Sequence, residues 1–413
     1  MTPLVPLARA QGHVLGSCPP LGPVTIALAG ALGRAAAATV TADACVPPFD
    51  NSAMDGFALR SADTVGAPVT LEVVGTLAAG QAPGVMVGPG QAVRIMTGAP
   101  VPAGADAVVM VERTAALDGG HRVEVGAEVA AGTAVRRAGE DLRPGDAVLA
   151  SGDVLTPGLL GVLASLGVAE VPVFPRARVG VLSTGDELVE APAPLRPGQI
   201  RDSNRPTLLA LVTWAGCEAV DLGLVADEEQ ALIEAFRQGL ASCDAVVTSG
   251  GVSMGDFDLV KVVLDRLGDM RWMQVAIKPA KPLAFGTVGR TPVFGLPGNP
   301  VSSMVSFELF ARPALRRMMG FPPAVADRPV VPAVAGEALR RRPDGKTHFV
   351  RVVASMEGDG RYRVRSAGGQ GSHQLRAMAA ANALAVLPDG EGAEAGDIVD
   401  TMLLGAGSLE AMP

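Results

Sequence analysis

The sequence predicts a multidomain α/β-plus-β protein, and three patterns carry that prediction. Strands alternate with helices from residue 176 to 325, which indicates a three-layer α/β domain with a mostly parallel sheet. Short strands separated by Gly and Pro fill 43–138, a β-rich insertion. More β signals follow 326, a terminal β domain running to 413. Helical patterns flank the insertion on both sides, so 1–42 and 139–175 form one discontinuous helical linker domain.

Composition supports such a chain and excludes several functions. The 413 residues are enough for about three domains, and 48% are hydrophobic, although only 3% are aromatic. A net charge of −8 argues against nucleic acid as a main partner, since phosphate backbones attract basic surfaces. No apolar run approaches the ~18 residues a membrane span requires. The opening Met1–Pro6 lacks a basic stretch followed by an apolar one, so a cytoplasmic location is expected. Cys18, Cys45, Cys217 and Cys243 are scattered without a Cys-x-x-Cys pair, which makes disulfides and thiolate zinc poor expectations.

In chain order, helical patterns are expected at 24–38 and 157–167. Between them lie strands Val69–Val74, Ala92–Met96, Ala107–Val111 and Arg122–Val125. The α/β domain opens with strand Arg178–Ser183. Ser203 starts a helix with Asn204 and Pro206 in its first turn, and Gly216 ends it. Strand Val220–Val225 follows, Asp227 caps a helix through Leu240, and Ala245–Thr248 is the next strand. A helix over 256–267, strands around Met273–Ile277 and Pro292–Phe294, and a helix opened by Pro300 complete it. Ligands of parallel sheets bind beyond the carboxyl ends of the strands, where Thr184–Glu187, Thr248–Asp258 and Gly295–Pro300 emerge. The terminal strands are Thr347–Val353, Tyr362–Ser366, Ala383–Leu387 and Ile398–Leu404.

The most informative stretch is Ser249–Asp258, Ser-Gly-Gly-Val-Ser-Met-Gly-Asp-Phe-Asp, between a strand and a helix. Its glycine turn offers unpaired N–H groups and a helix dipole to a phosphate-like anion. Asp256 and Asp258 would repel a bare anion, so the pair points to a phosphorylated ligand handled with a divalent metal. Gly251–Gly255 also matches the Gly-x-Ser-x-Gly elbow of serine hydrolases, centred on Ser253. That reading needs a later His, and His348 and His373 lie in the terminal domain, off the sheet. Two acids after the turn would also oppose an oxyanion hole.

Of 34 basic residues only Lys261, Lys278, Lys281 and Lys346 are lysine, and three fall within 261–281. Lys278-Pro279-Ala280-Lys281-Pro282 is either a chance cluster on a solvated face or an anion clamp built from compact ammonium charges. Pro47–Phe57 packs turn formers around Asp50 and Asp55, reading as a structured turn or as a site for a base or metal-water ligand. Thr97-Gly98-Ala99-Pro100 is a plain turn or a ligand-facing hydroxyl and N–H. Ser183–Glu187 leaves a strand at the binding edge, where isolated carboxylates are costly without partners. Gly345-Lys346-Thr347 is not a Walker A loop, because position 340 is Arg where Gly is required.

Together these runs resemble the molybdopterin molybdenumtransferase (gephyrin E-domain) family, over about residues 22 to 405. The resemblance rests on Pro47–Ala58, Arg94–Pro100, Arg137–Asp141, Leu182–Glu190, Gln199–Arg205, Ser249–Asp258, Ile277–Gly286, Gly295–Ser302 and Gly369–Ala379, in order. Any one is weak; nine in sequence are specific. The resemblance implies insertion of molybdate into adenylylated molybdopterin with release of AMP, using a divalent cation such as Mg²⁺. It also implies that the α/β domain binds molybdopterin, that the terminal domain is barrel-like, and that chains form elongated homodimers. The cleft then takes the β insertion from the other subunit.

By motif, Asp55, Thr97, Asp141, Glu187 and Asp227 match catalytic positions, and Asp258, with Glu187, the metal's. Ser249, Gly250, Gly251 and Ser253 form the cradle; Lys278, Lys281, Ser302, Arg351 and Ser372 match the molybdate site. Ala280 and Ala383 replace glycines usual in the family. Adenylylation of molybdopterin is a rival function, but that enzyme is essentially the α/β module alone. A non-catalytic, gephyrin-like scaffold is another, disfavoured because the matched acids and lysines are all present. The adenylyltransferase and molybdoenzyme-maturation proteins are expected partners.

Overall fold

The computed structural model describes residues 3–251 and 259–405. Its central sheet has six strands in the order Glu218–Val225, Arg178–Thr184, Ala245–Ser249, Thr291–Leu296, Pro282–Val288 and Asp269–Gln274. The first four are parallel, while Pro282–Val288 runs antiparallel to both neighbours. Alternate strand residues enter opposite layers. Val179 and Val181 pack with helices Asn204–Trp214 and Pro300–Ser306 on one face. Leu182, Val246 and Val293 pack with Glu229–Ser242 and Leu259–Leu267 on the other.

Three expectations are corrected here. The sheet holds an additional strand, Pro282–Val288, second from its edge, that the sequence reading passed over. Its proline hides the strand signature, yet a proline at a strand's first residue breaks no interior ladder. A Cβ on Gly286 would lie 2.1 Å from the Asp269 carbonyl oxygen, so only glycine lets these strands approach. Val24–Ala27, expected to be helical, is a strand paired with Glu170–Val173. The Ala run that imitated a helix is extended as well, with Ala35 and Ala36 bridged to Val154 and Val173. The linker therefore carries Pro157–Ser165 as an α-helix among short strand pairs. Finally, Asp227 does not cap its helix, which starts at Glu229 with no side-chain cap.

The N-terminal segment joins the α/β domain. Helix Leu7–Gly16 buries Ala10 and Val14, and Gln11 donates to the Leu309 carbonyl at 3.1 Å. Beneath it, Arg328 holds buried Glu308 through two bonds of 2.8 and 2.9 Å. The insertion is a six-stranded sheet, Ala107–Met110, Gly56–Leu59, Gln91–Ile95, Val69–Leu77, Arg122–Val125 and Thr114–Leu117.

Five strands close the terminal barrel: Thr347–Met356, Tyr362–Ser366, Val330–Ala335, Ile398–Leu403 and Ala383–Leu387, the last pairing back to the first. Closure removes the unpaired edges. One two-residue strand ties this barrel to the α/β domain. Ile277–Lys278 pairs in parallel with Thr347 and His348, and the Thr347 amide donates to the Ala276 carbonyl at 2.9 Å.

Candidate active site

The carboxyl ends of the central strands and the rim of the barrel enclose a cavity of about 890 Å³. Thr184 and Ser249 close two adjacent strands and line it, as does Gly250. Gly250 has φ +92°, and a Cβ there would lie 2.8 Å from the Thr184 carbonyl oxygen. Both facts demand glycine, and its amide donates to the Leu296 carbonyl at 3.2 Å. Gly251 follows with φ +66°. Ser253 and Asp258, with Asp256, lie outside the described residues.

Asn204 organises this edge and was read from sequence as part of a helix's opening turn. Its Nδ2 donates to Ser249 Oγ and to the Gly298 carbonyl, each at 2.7 Å, spanning two loops that leave separate strands. The signal was present in the Gln199–Arg205 run. Asp227 sits one layer behind: its carboxylate accepts from Thr184 Oγ1, and Thr184 in turn faces the cavity. Glu187 lines the cavity directly.

The opposite wall is cationic. Lys278, Lys281, Ser302 and Ser372 all line the cavity. Ala280 between the lysines adopts φ +72° and is buried, so an L-residue occupies a left-handed turn where the family motif has Gly. Among the described residues neither lysine forms an ion pair with a carboxylate. The Val301 amide donates to the Ser372 carbonyl at 3.0 Å, which joins the Ser302 helix to the Gly369–Ser372 loop. Lys346 lines the same cavity. The sequence reading counts it among the four lysines and rejects its Walker loop without placing it at a site; the rarity of lysine was the signal that could have found it.

Arg351 is placed differently. It lines a neighbouring cavity of about 540 Å³ that shares Lys278, Pro279 and Gln370 with the first. Its Nη2 donates to the carbonyls of Gly369 at 2.9 Å and Gly371 at 3.2 Å, so it braces the loop carrying Ser372. The side chain is almost wholly buried, its Nε has no partner among the described residues, and burial pulls its pKa down. A buried guanidinium without a carboxylate is an electrostatic debt that an anion nearby would relieve.

Asp55, Thr97 and Asp141 belong to the insertion and its flank, and none lines the cavity within this chain. Asp55 Oδ1 accepts both the amide and the hydroxyl of Thr97 at 2.7 Å, and these bonds hold its carboxyl below the usual range. Both side chains are exposed. The loop bearing Asp141 docks beside them: Asp50 takes Arg137 Nη1 at 2.6 Å and the Ala138 amide at 2.8 Å. Asp50 is thus the structural member of its motif.

Among the described residues no three His, Cys, Asp or Glu side chains converge on a metal position, and no histidine lines the cavity. A three-ligand cage is not what Mg²⁺ requires, since it commonly binds through one or two carboxylates together with substrate phosphates. Glu187, a hard oxygen donor on the cavity wall, fits that mode.

Three family models match in order. They describe a MoeA N-terminal region (domain I and II) at 5–167, a probable molybdopterin binding domain at 180–317, and a MoeA C-terminal region (domain IV) at 333–404. Molybdopterin molybdenumtransferase 2 of Mycobacterium tuberculosis is 42% identical over 392 residues, 92% of this chain and 94% of that one. Molybdopterin molybdenumtransferase of Haemophilus influenzae is 40% identical, covering 94% of this chain and 96% of the relative. The crystal structure of the molybdopterin biosynthesis MoeA protein from Pyrococcus horikoshii OT3 superposes with a TM-score of 0.80 at 29% identity, covering 97% and 100%. The chain belongs to the molybdopterin molybdenumtransferase family, enzymes of molybdenum cofactor biosynthesis.

Proposed function

We propose that this chain inserts molybdate into adenylylated molybdopterin and releases AMP with the finished cofactor. The observation that supports it is the pairing of two ammonium groups, Lys278 and Lys281, without carboxylate partners among the described residues, with the Ser302 and Ser372 hydroxyls around one cavity. A tetrahedral dianion suits that donor set. On the facing edge the Ser249 hydroxyl accepts from Asn204 and so has its own proton to donate to a phosphorylated ligand. Near-complete coverage of relatives carrying this name favours the reading over an adenylyltransferase, which is essentially the α/β module alone.

When bound, Mg²⁺ would neutralise phosphate charge as the phosphoanhydride breaks, held by Glu187 and by Asp258, which lies outside the described residues. The chain's own residues bind and orient: the lysines hold the oxyanion, Asn204 fixes the cradle, and Asp227 anchors Thr184 by accepting its hydroxyl proton. We infer a homodimer, because Asp55, Thr97 and Asp141 are exposed on the insertion and away from the cavity, where a second copy could use them. A cytoplasmic location follows from the same reading; among the described residues no helix is long and apolar enough to cross a membrane.

Purified protein given adenylylated molybdopterin, molybdate and Mg²⁺ should release AMP, and no release refutes the proposal. Asp258→Asn should lower metal-dependent turnover with folding intact. Lys278→Arg or Lys281→Arg should weaken molybdate use more than pterin binding.

A further inference from the structure

Three of the chain's four lysines line the cavity at the strand ends: Lys278, Lys281 and Lys346. The third comes from the barrel, on the loop preceding strand Thr347–Met356. Its setting is constructed. Lys346 is about four-fifths buried and its Nζ donates to Asp344 Oδ2 at 3.1 Å. Asp344 also accepts from Arg341 Nη2 at 2.8 Å, and His348 Nε2 lies 3.1 Å from Oδ1. Arg341 is in turn fixed by the carbonyls of Lys346, Leu387 and Pro388 at 2.7–3.1 Å. The loop thus has a shape that depends on Asp344. The strand pairing that sets His348 beside Lys278 brings it to the lysine turn.

Charge explains what that shape is for. The described side chains lining the cavity include three ammonium groups and one carboxylate, Glu187. Asp344 lines the neighbouring cavity and not this one. Lys346 thus lines the large cavity while its counter-ion lines the neighbouring one. An ion pair serving stability alone has no need to divide its partners between two cavities.

We propose that Lys346, oriented by Asp344, is a third cation of the oxyanion seat, setting affinity for a tetrahedral dianion. It extends the proposed function and rests on it. Lys346 is the binding residue and Asp344 the positioning residue. One Nζ proton is engaged by Asp344, which leaves two for direct contact with the dianion. The chemical step is left to Lys278 and Lys281.

The test is calorimetric titration of the purified full-length chain with sodium molybdate, repeated with tungstate. Lys346→Gln should weaken binding about tenfold, the loss expected for one charged contact. Lys346→Arg, which keeps the charge, should recover most of it. Asp344→Asn should give an intermediate loss, with circular dichroism confirming the fold. Arg290→Gln, the same charge change on an exposed turn elsewhere, should leave binding unchanged. In turnover, Lys346→Gln should raise KM for molybdate while kcat stays within about twofold.

Binding by wild type with an equal Kd for Lys346→Gln would overturn the inference and leave the proposed function standing. So would an equal loss in Arg290→Gln, which would show a diffuse field in place of a contact. No molybdate binding by wild type would remove the proposed function and this inference with it.

Discussion

Replacing Gly250 by Ala joins fold and site in one measurement. The added Cβ would meet the Thr184 carbonyl oxygen at 2.8 Å, a backbone atom that cannot rotate aside. Holding an L-residue at φ +92° costs on the order of 1–3 kcal/mol. Overpacking adds roughly 1–3 kcal/mol as strands 178–184 and 245–249 separate. The expected loss is about 2–6 kcal/mol. Both tryptophans of the chain, Trp214 and Trp272, belong to the α/β domain, so their fluorescence in a urea titration reads this domain by itself. The midpoint should fall at unchanged slope, and binding of the phosphorylated substrate should weaken with it, because Thr184 and Ser249 no longer share one edge. An unchanged midpoint with unchanged binding would show that the turn tolerates a side chain, and the account of Gly250 as the hinge of the cradle would be wrong.

Glu308→Ala leaves the buried Arg328 and Arg312 guanidiniums without their carboxylate and should cost about 3–5 kcal/mol in the same fluorescence assay; a loss below ~1 kcal/mol would refute the pair's role. The barrel should loosen in acid. Burial alone would raise the Asp344 pKa, but bonds from Lys346 and His348 outweigh it and bring it to about 2, so its stabilisation is present above pH 3.8 and lost as pH falls toward 2. Burial lowers the His348 pKa below 6.5, so the folded state resists its protonation and stability begins to fall already below pH 6.5. Hydrogen-exchange protection factors in residues 339–350, referred to the intrinsic rate at each pH, should fall over that range, and protection unchanged from pH 7 to 3 would contradict it. Finally, Asp55→Asn and Lys278→Gln should each abolish turnover alone and recover about a quarter of it when mixed and refolded, since a symmetric dimer then regains one intact site in half its members. No recovery would count against shared sites.

Much of this was legible in the chain. Glycine and proline punctuation located the insertion strands, because turns there need those residues, and Asn204 and the lysine turn lay within quoted motifs. Other features escaped for physical reasons. Val24–Ala27 becomes a strand only because Glu170–Val173 pairs with it, and no local periodicity carries a partner so distant. Asp227 looked like a helix cap because capping is a local habit of Asp; its bond to Thr184 is a tertiary choice. Lys346 was passed over because one loop was tested against one nucleotide motif, while its meaning depends on the lysines of another domain. The placement of Arg351 in the second cavity likewise required seeing which face of its strand carried the guanidinium.

The short pairing of Ile277–Lys278 with Thr347–His348 has a thermodynamic consequence. A ligand clasped by the lysines and by the barrel loop binds only when the barrel is folded and docked. Ligand occupancy and barrel folding are then one linked equilibrium: a ligand at a hundred times its Kd adds about 2.7 kcal/mol to the barrel's stability. The reverse also holds. A substitution at Val399, buried in the barrel core and lining neither of the two cavities described, can lower ligand affinity by undocking the barrel without altering a single ligand contact.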